Sequence, residues 1–81
     1  MSLFEAVVTV RGVRRTVHAA FVEFEYALAD GELAVELIMP IAAVREFQTA
    51  RDAQLRFASR DAERAYDELA AGSDSGVAAR P

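Results

Sequence analysis

Residues 21–40 read FVEFEYALADGELAVELIMP and predict a β-hairpin with one apolar face and one acidic face. Large apolar side chains occupy every second position on both sides of Asp30-Gly31, which is the pattern of strands buried on one face. Asp-Gly is a strong hairpin signal because both residues tolerate the positive φ angles of a type I′ turn. With these two residues as the loop, the apolar pairs across the hairpin are Leu28 with Leu33, Tyr26 with Val35, Phe24 with Leu37 and Val22 with Met39.

The same register collects three glutamates on the opposite face. Glu25 lies opposite Glu36, and Glu23 is on the same side. Like charges that face each other across an antiparallel pair destabilise it by about a few tenths of a kcal/mol. The three carboxylates are therefore either solvated on an exposed sheet face or form a candidate partner-binding face that meets cationic groups of another protein. A metal site made of these three alone is disfavoured, because hard cations take more oxygen ligands than this face offers.

Composition limits the class of protein. The chain has 81 residues, enough for one small domain with a modest core. It has no cysteine, and all nine basic residues are arginine, so thiolate, disulfide and lysine chemistry are excluded. A formal net charge of −4 argues against nucleic-acid binding. No apolar run is long enough to cross a bilayer and the N-terminus lacks a basic signal-peptide region, so we expect a cytoplasmic protein without membrane contact.

The flanking sequence predicts a strand before the hairpin and a helix after it. Leu3–Arg11 alternates as a strand, and Gly12–Thr16 is predicted to be the turn that follows. Pro40 suits the first position of a helix, where its missing N–H matters least, and this helix is predicted to run to about Asp52. Gln54–Phe57 alternates briefly and is predicted to be a short fourth strand.

A second helix is predicted from Ser59, a favourable N-cap residue, to Gly72. Its apolar stripe consists mostly of alanines, so it contributes little buried area. The predicted fold is α+β, a three- to four-stranded antiparallel sheet in the order β-β-β-α-(β)-α with helices covering one face. We expect residues 1–72 to form a single domain and residues 73–81 to form a disordered C-terminal tail.

The sequence contains no recognisable catalytic constellation. His18 is the only histidine, the serines lack a nucleophile-elbow context, and the four glycines form no phosphate-binding loop. Arg14-Arg15, the only adjacent basic pair, is predicted to cap a loop. We therefore expect no catalytic residue, cofactor-binding residue, metal ligand or cofactor. The chain is instead predicted to bind another protein through its acidic face or its edge strands.

The chain resembles the small accessory subunit of bacterial multicomponent phenol hydroxylases over roughly residues 4–57. The resemblance is carried by the ordered segments FVEFEYAL (21–28), EL (32–33), VELIMP (35–40), AAV (42–44) and EF (46–47). Glu23, Glu25 and Glu36 match its acidic positions. The chain departs from the family pattern at 29–31, where Gly-Asp-Pro is expected, at Ala34, where an aromatic is expected, and at Gln48, where cysteine is common. These departures leave open which oxygenase and which aromatic substrate are served.

The resemblance implies a non-catalytic subunit that assists assembly of the diiron oxygenase component, and that is dispensable once the enzyme is assembled. The residues themselves agree with this, because a bundle-type diiron site needs four helices with Glu and Glu-x-x-His ligands. An iron–sulfur reductase needs cysteines, which are also absent. Two alternatives stay open: an effector-type regulatory component of the same monooxygenase, and a stand-alone small-molecule-binding domain with a cleft between sheet and helices.

Overall fold

A computed structural model describes residues 6–28, 31 and 33–79, with side chains described as far as residue 72. Within these ranges the chain forms a four-stranded sheet and two helices. Their bounds are β1 Ala6–Arg15, β2 Ala20–Leu28, β3 Ala34–Met39, α1 Ile41–Ala50, β4 Gln54–Phe57 and α2 Arg60–Ala79. This order confirms the predicted α+β class and the predicted fourth strand.

The strands lie in the order β3-β2-β1-β4. The first three form the predicted antiparallel meander, whereas β4 pairs with β1 in parallel. The sheet is therefore mixed, although the sequence predicted antiparallel pairing. The reason is the connection: α1 carries the chain from one edge of the sheet to the other, and a helical crossover returns the chain in the same direction.

The register predicted for the hairpin that β2 and β3 form is confirmed. Phe24 lies opposite Leu37, and Glu25 lies opposite Glu36. The N–H of Leu28 donates to the carbonyl of Leu33 at 3.0 Å, which continues the ladder to the loop. Gly31 has the predicted positive φ (83°), but the predicted two-residue loop is wrong, because the Gly31 N–H donates to the Leu28 carbonyl at 2.9 Å and the hydrogen-bonded turn therefore runs from Leu28 to Gly31. Its predicted partner in the turn, residue 30, lies outside the described residues.

The predicted turn at Gly12 is wrong, because β1 continues through Gly12 to Arg15. The pairing with β2 shifts between Val10 and Gly12, so Arg11 is an extra residue in a β-bulge. A glycine inside a strand often marks such a bulge. The chain reverses after Arg15 instead, where Thr16 Oγ1 accepts hydrogen bonds from the backbone N–H groups of His18 (3.2 Å) and Ala19 (3.0 Å).

The first helix begins one residue later than predicted. Pro40 is its N-cap residue, and the Pro40 carbonyl accepts a hydrogen bond from the N–H of Val44 at 3.0 Å. The helix ends at Ala50, slightly earlier than predicted, because Arg51 is the C-cap and Asp52 has φ 52°, outside the helical region.

The second helix has the predicted N-cap, since Ser59 Oγ accepts a hydrogen bond from the N–H of Ala62 at 3.0 Å. Its predicted end at Gly72 is wrong, because α2 continues to Ala79. Gly72 keeps helical backbone here, at a cost of about 1 kcal/mol relative to alanine, instead of taking the left-handed geometry of a C-cap. The division into a domain of residues 1–72 and a tail of residues 73–81 stays a prediction, which hydrogen exchange of residues 73–79 would test.

One face of the sheet packs against both helices and holds the hydrophobic core. The buried residues are Ala6, Val8, Val10, Val22, Phe24, Ile41, Val44, Ala53, Ala62 and Tyr66. Phe47 of α1 contacts Phe24 and Tyr26 edge-on, with ring centroids 5.5 Å and 5.1 Å apart. Tyr66 of α2 contacts Phe57 in the same way at 5.4 Å. Both helices therefore lie against one face of the sheet, and no described helix covers the opposite face, which is called the open face below. Within the described part of the chain, no helix has the length and apolar character needed to span a bilayer.

Candidate functional site

The three predicted glutamates lie together on the open face of the sheet. Glu25 of β2 is directly opposite Glu36 of β3, and Glu23 is two residues along β2 on the same face. Their core-facing neighbours Val22 and Phe24 are buried, because successive residues of a strand point to opposite faces. The geometry on which the candidate partner-binding face depends is therefore present.

One of the three carboxylates has a cationic partner within the chain. Arg14 Nη2 lies 2.6 Å from Glu23 Oε2, with side chains 65% and 36% exposed. The sequence placed Arg14 in a loop, but the bulge at Arg11 extends β1 and places Gly12 opposite Glu23. Reading Gly12 as a bulge rather than a turn would have revealed this pair. An exposed pair of this kind contributes about 0–1 kcal/mol.

Glu25 and Glu36 differ from Glu23 in this respect. Neither carboxylate forms a salt bridge with a described residue. Across the antiparallel pair their side chains are close neighbours, and two like charges in this position repel each other. The centre of the acidic face is therefore the Glu25–Glu36 pair, at the boundary between β2 and β3.

A shallow, solvent-open depression of about 330 Å³ lies beside this pair on the outer side of the sheet. It is lined by side chains of both charges, among them Arg11, Arg14, Glu23 and Glu36, and by Ile38. Small-molecule sites are concave and mostly apolar, with few polar groups. The mixed charge and open shape of this depression suit contact with a polar surface better than enclosure of a small ligand.

Apolar side chains are exposed along β3 and directly before it, a feature that the sequence analysis did not identify. Leu33, Val35 and Ile38 are 43%, 37% and 48% exposed. β3 is the outermost strand on its side of the sheet, and no other described strand pairs with its outer side. The signal was present in the sequence, because residues 37–39 are consecutively apolar and so place apolar groups on both faces of this strand.

The described residues form no candidate metal centre. His18 lies in the exposed turn between β1 and β2. Among the residues that the structure describes, no group of three or more His, Cys, Asp or Glu side chains could hold a metal ion. The arrangement can present charge, apolar side chains and strand backbone to another macromolecule.

The sequence model of the phenol hydroxylase subunit family matches residues 7–55. This chain belongs to that family. The match runs from β1 into β4 and includes the acidic face, β3 and α1, whereas α2 lies outside it. Membership in the phenol hydroxylase subunit family confirms the resemblance read from the sequence. As a subunit of a phenol hydroxylase system, the chain has protein partners. Searches of the curated proteins and of the solved structures found no match.

Proposed function

We propose that this phenol hydroxylase subunit is a cytoplasmic, non-catalytic accessory subunit that assists assembly of the active diiron oxygenase component by binding it. The observation that carries the proposal is the Glu25–Glu36 pair on the open sheet face, which forms no salt bridge with a described residue and lies inside the segment that matches the family. Glu23 extends the same face. The proposed contact is between this acidic face and a cationic surface of the oxygenase.

The energetics of the acidic face support a binding role. In the isolated chain the Glu25–Glu36 repulsion is a small cost, whereas cationic groups of a partner would turn the same carboxylates into favourable contacts. Charge complementarity of this kind speeds association and fixes orientation, and it weakens as salt rises. Binding through this face should therefore be stronger at low ionic strength.

The proposal is tested by mixing the purified chain with the apo form of the oxygenase component. We expect a complex on size-exclusion chromatography and a larger fraction of oxygenase that becomes iron-loaded and active. Absence of association with both the apo and the iron-loaded oxygenase would overturn the proposal. If the chain instead raised the turnover of fully assembled, iron-loaded oxygenase, it would be an effector-type regulatory component.

The acidic face is tested with the double variant Glu25→Gln with Glu36→Gln, which removes both charges and keeps the side-chain shape. We expect about tenfold weaker binding to the oxygenase at low salt, corresponding to about 1.4 kcal/mol. The matched control is Glu46→Gln with Glu68→Gln, which removes two exposed charges from the helices. Equal affinity of the two double variants would mean that the carboxylates of the acidic face are merely solvated.

A further inference from the structure

We propose that the outer edge of β3 receives an extended segment of the partner as a fifth strand, with a cationic side chain of that segment beside Glu36. The inference rests on the proposed function for the identity of the partner, the oxygenase component. It adds the mode of contact, which is backbone pairing at a strand edge, and the pattern of side chains that the partner segment must carry.

The backbone of β3 has hydrogen-bonding groups available for such a strand. The N–H of Leu28 donates to the carbonyl of Leu33. In an antiparallel ladder these bonded pairs recur at every second residue, so Val35, Leu37 and Met39 direct their backbone groups to β2. The N–H and C=O groups of Ala34, Glu36 and Ile38 then point away from the sheet. They offer three consecutive bonding positions along one edge.

The exposed apolar side chains mark the same edge. Among the described residues, the large hydrophobic side chains that are most exposed are Val17, Leu33, Val35 and Ile38. Three of these four lie in β3 or directly before it, and only Val17 lies elsewhere, in the turn after β1. Val35 is on the helix-covered face and Ile38 is on the open face, so a strand laid along β3 would cover apolar groups on both sides.

The charge of Glu36 indicates which kind of segment pairs with this edge. Glu36 is at its middle, and its carboxylate has no salt-bridge partner among the described residues. A segment from a second copy is disfavoured, because the two-fold register that uses all three bonding positions places Glu36 opposite Glu36 of the other copy. Registers shifted along the strand use fewer of these positions. The opposite edge, β4, is only four residues long and carries the exposed Arg56, so a cationic segment is favoured at β3.

The partner segment has a predictable pattern. Side chains of a strand paired with β3 alternate between the open face and the helix-covered face. The residue beside Glu36 should be arginine or lysine. Its two neighbours in the segment should be apolar, because they lie beside Leu37, which packs against the core, and beside the exposed Val35.

The deciding experiment is amide hydrogen exchange of the full chain, free and bound to the oxygenase component, read residue by residue by mass spectrometry. We expect the N–H groups of Ala34, Glu36 and Ile38 to exchange at least about tenfold more slowly in the complex. Val17, which lies in the exposed turn, is the control and should not change. A complex that forms without protection of these three amides would overturn strand addition and leave the proposed function standing.

Other outcomes of this experiment separate the remaining possibilities. If no complex forms, the proposed function fails and the inference fails with it. If the three amides become protected in the free chain as its concentration rises, a second copy occupies the edge, and the proposed partner segment is wrong. Sedimentation of the free chain over the same concentration range identifies that case.

A substitution that removes a backbone N–H tests strand addition through its effect on binding affinity. Ile38→Pro removes an outward N–H and leaves the hydrogen bonds to β2 in place, because proline is tolerated on the solvent side of an edge strand. We expect about tenfold weaker binding to the oxygenase. Ile38→Val is the control, since it keeps the N–H and most of the apolar surface. Equal affinity of the two folded variants would overturn the inference, and Ala34→Pro with Ala34→Val provides the same comparison if Ile38→Pro does not fold.

Discussion

Glu25 and Glu36 face each other across the β2–β3 pair, on the side of the sheet that neither helix covers. Neither carboxylate has a salt-bridge partner among the described residues. The two residues therefore weaken the sheet slightly and leave an anionic pair on its open face. Such a pair costs the isolated chain a little stability and can be met favourably by cationic groups of a partner.

Removing this repulsion should stabilise the isolated chain. For Glu25→Gln with Glu36→Gln we expect the free energy of unfolding, measured by urea denaturation, to rise by about 0.2–0.5 kcal/mol at low salt. The gain should shrink near ~1 M salt, where exposed charges are screened. The control Glu46→Gln with Glu68→Gln should not show this salt-dependent gain. A loss of stability in the first variant would mean that the two carboxylates make favourable contacts.

Arg14 should weaken binding of a cationic partner to the acidic face, because its guanidinium forms an ion pair with the Glu23 carboxylate. We expect Arg14→Gln to bind the oxygenase component more tightly at low salt, by about two- to fivefold, since it frees one carboxylate for the partner. Arg15→Gln is the matched control, because Arg15 is also exposed but lies on the other face of β1. Weaker binding of Arg14→Gln alone would show that Arg14 contacts the partner directly.

The β2–β3 hairpin could be predicted from the sequence because two independent signals agree on it. The alternation of apolar residues and the Asp-Gly signal for the reversal require one register, in which Phe24 pairs with Leu37 as observed. A shift of one residue would move every apolar side chain to the wrong face. The position of Glu25 and Glu36 on one face follows from the same register, so the centre of the candidate site was also predictable.

Other features depend on tertiary structure that local patterns do not encode. A glycine at the position of Gly12 is compatible with a turn and with a bulge. Only the pairing of Val13 with Val22 shows that β1 continues past it. The Arg14–Glu23 ion pair was missed for this reason. The parallel pairing of β4 depends on the path of α1 across the sheet, and Gly72 ends a helix only where its backbone becomes left-handed.

Substitution by alanine should change the free energy of unfolding differently at Gly12 and at Gly31. Gly31 has φ 83°, which strains an alanine, although nothing lies within 4 Å of the added Cβ. We expect Gly31→Ala to lower the free energy of unfolding by about 1–2 kcal/mol. In Gly12→Ala the added Cβ would lie 3.9 Å from Glu23 Oε1, an ordinary contact, and φ is not left-handed. That variant should stay within about 0.5 kcal/mol of the wild type, and a larger loss would mean that the bulge needs glycine.

Tyr66 should make the stability of the chain fall at alkaline pH. Its side chain is buried in the core, and this burial raises the pKa of Tyr66 above 10.0, with Arg45 opposing and Asp67 adding to the shift. Between the unfolded and the folded pKa the unfolded chain binds fewer protons, so the free energy of unfolding decreases as the pH rises above about 10. The chain has no lysine to add to this slope.

Tyr66→Phe keeps the ring that packs on Phe57 and removes the titrating hydroxyl. We expect wild type to lose stability between about pH 9 and about pH 11 in urea denaturation, and the variant to lose clearly less over the same range. Below about pH 9 the Tyr66 hydroxyl should add no pH dependence to the free energy of unfolding of the wild type. Identical slopes above pH 10 would mean that the Tyr66 hydroxyl is solvated in the folded state.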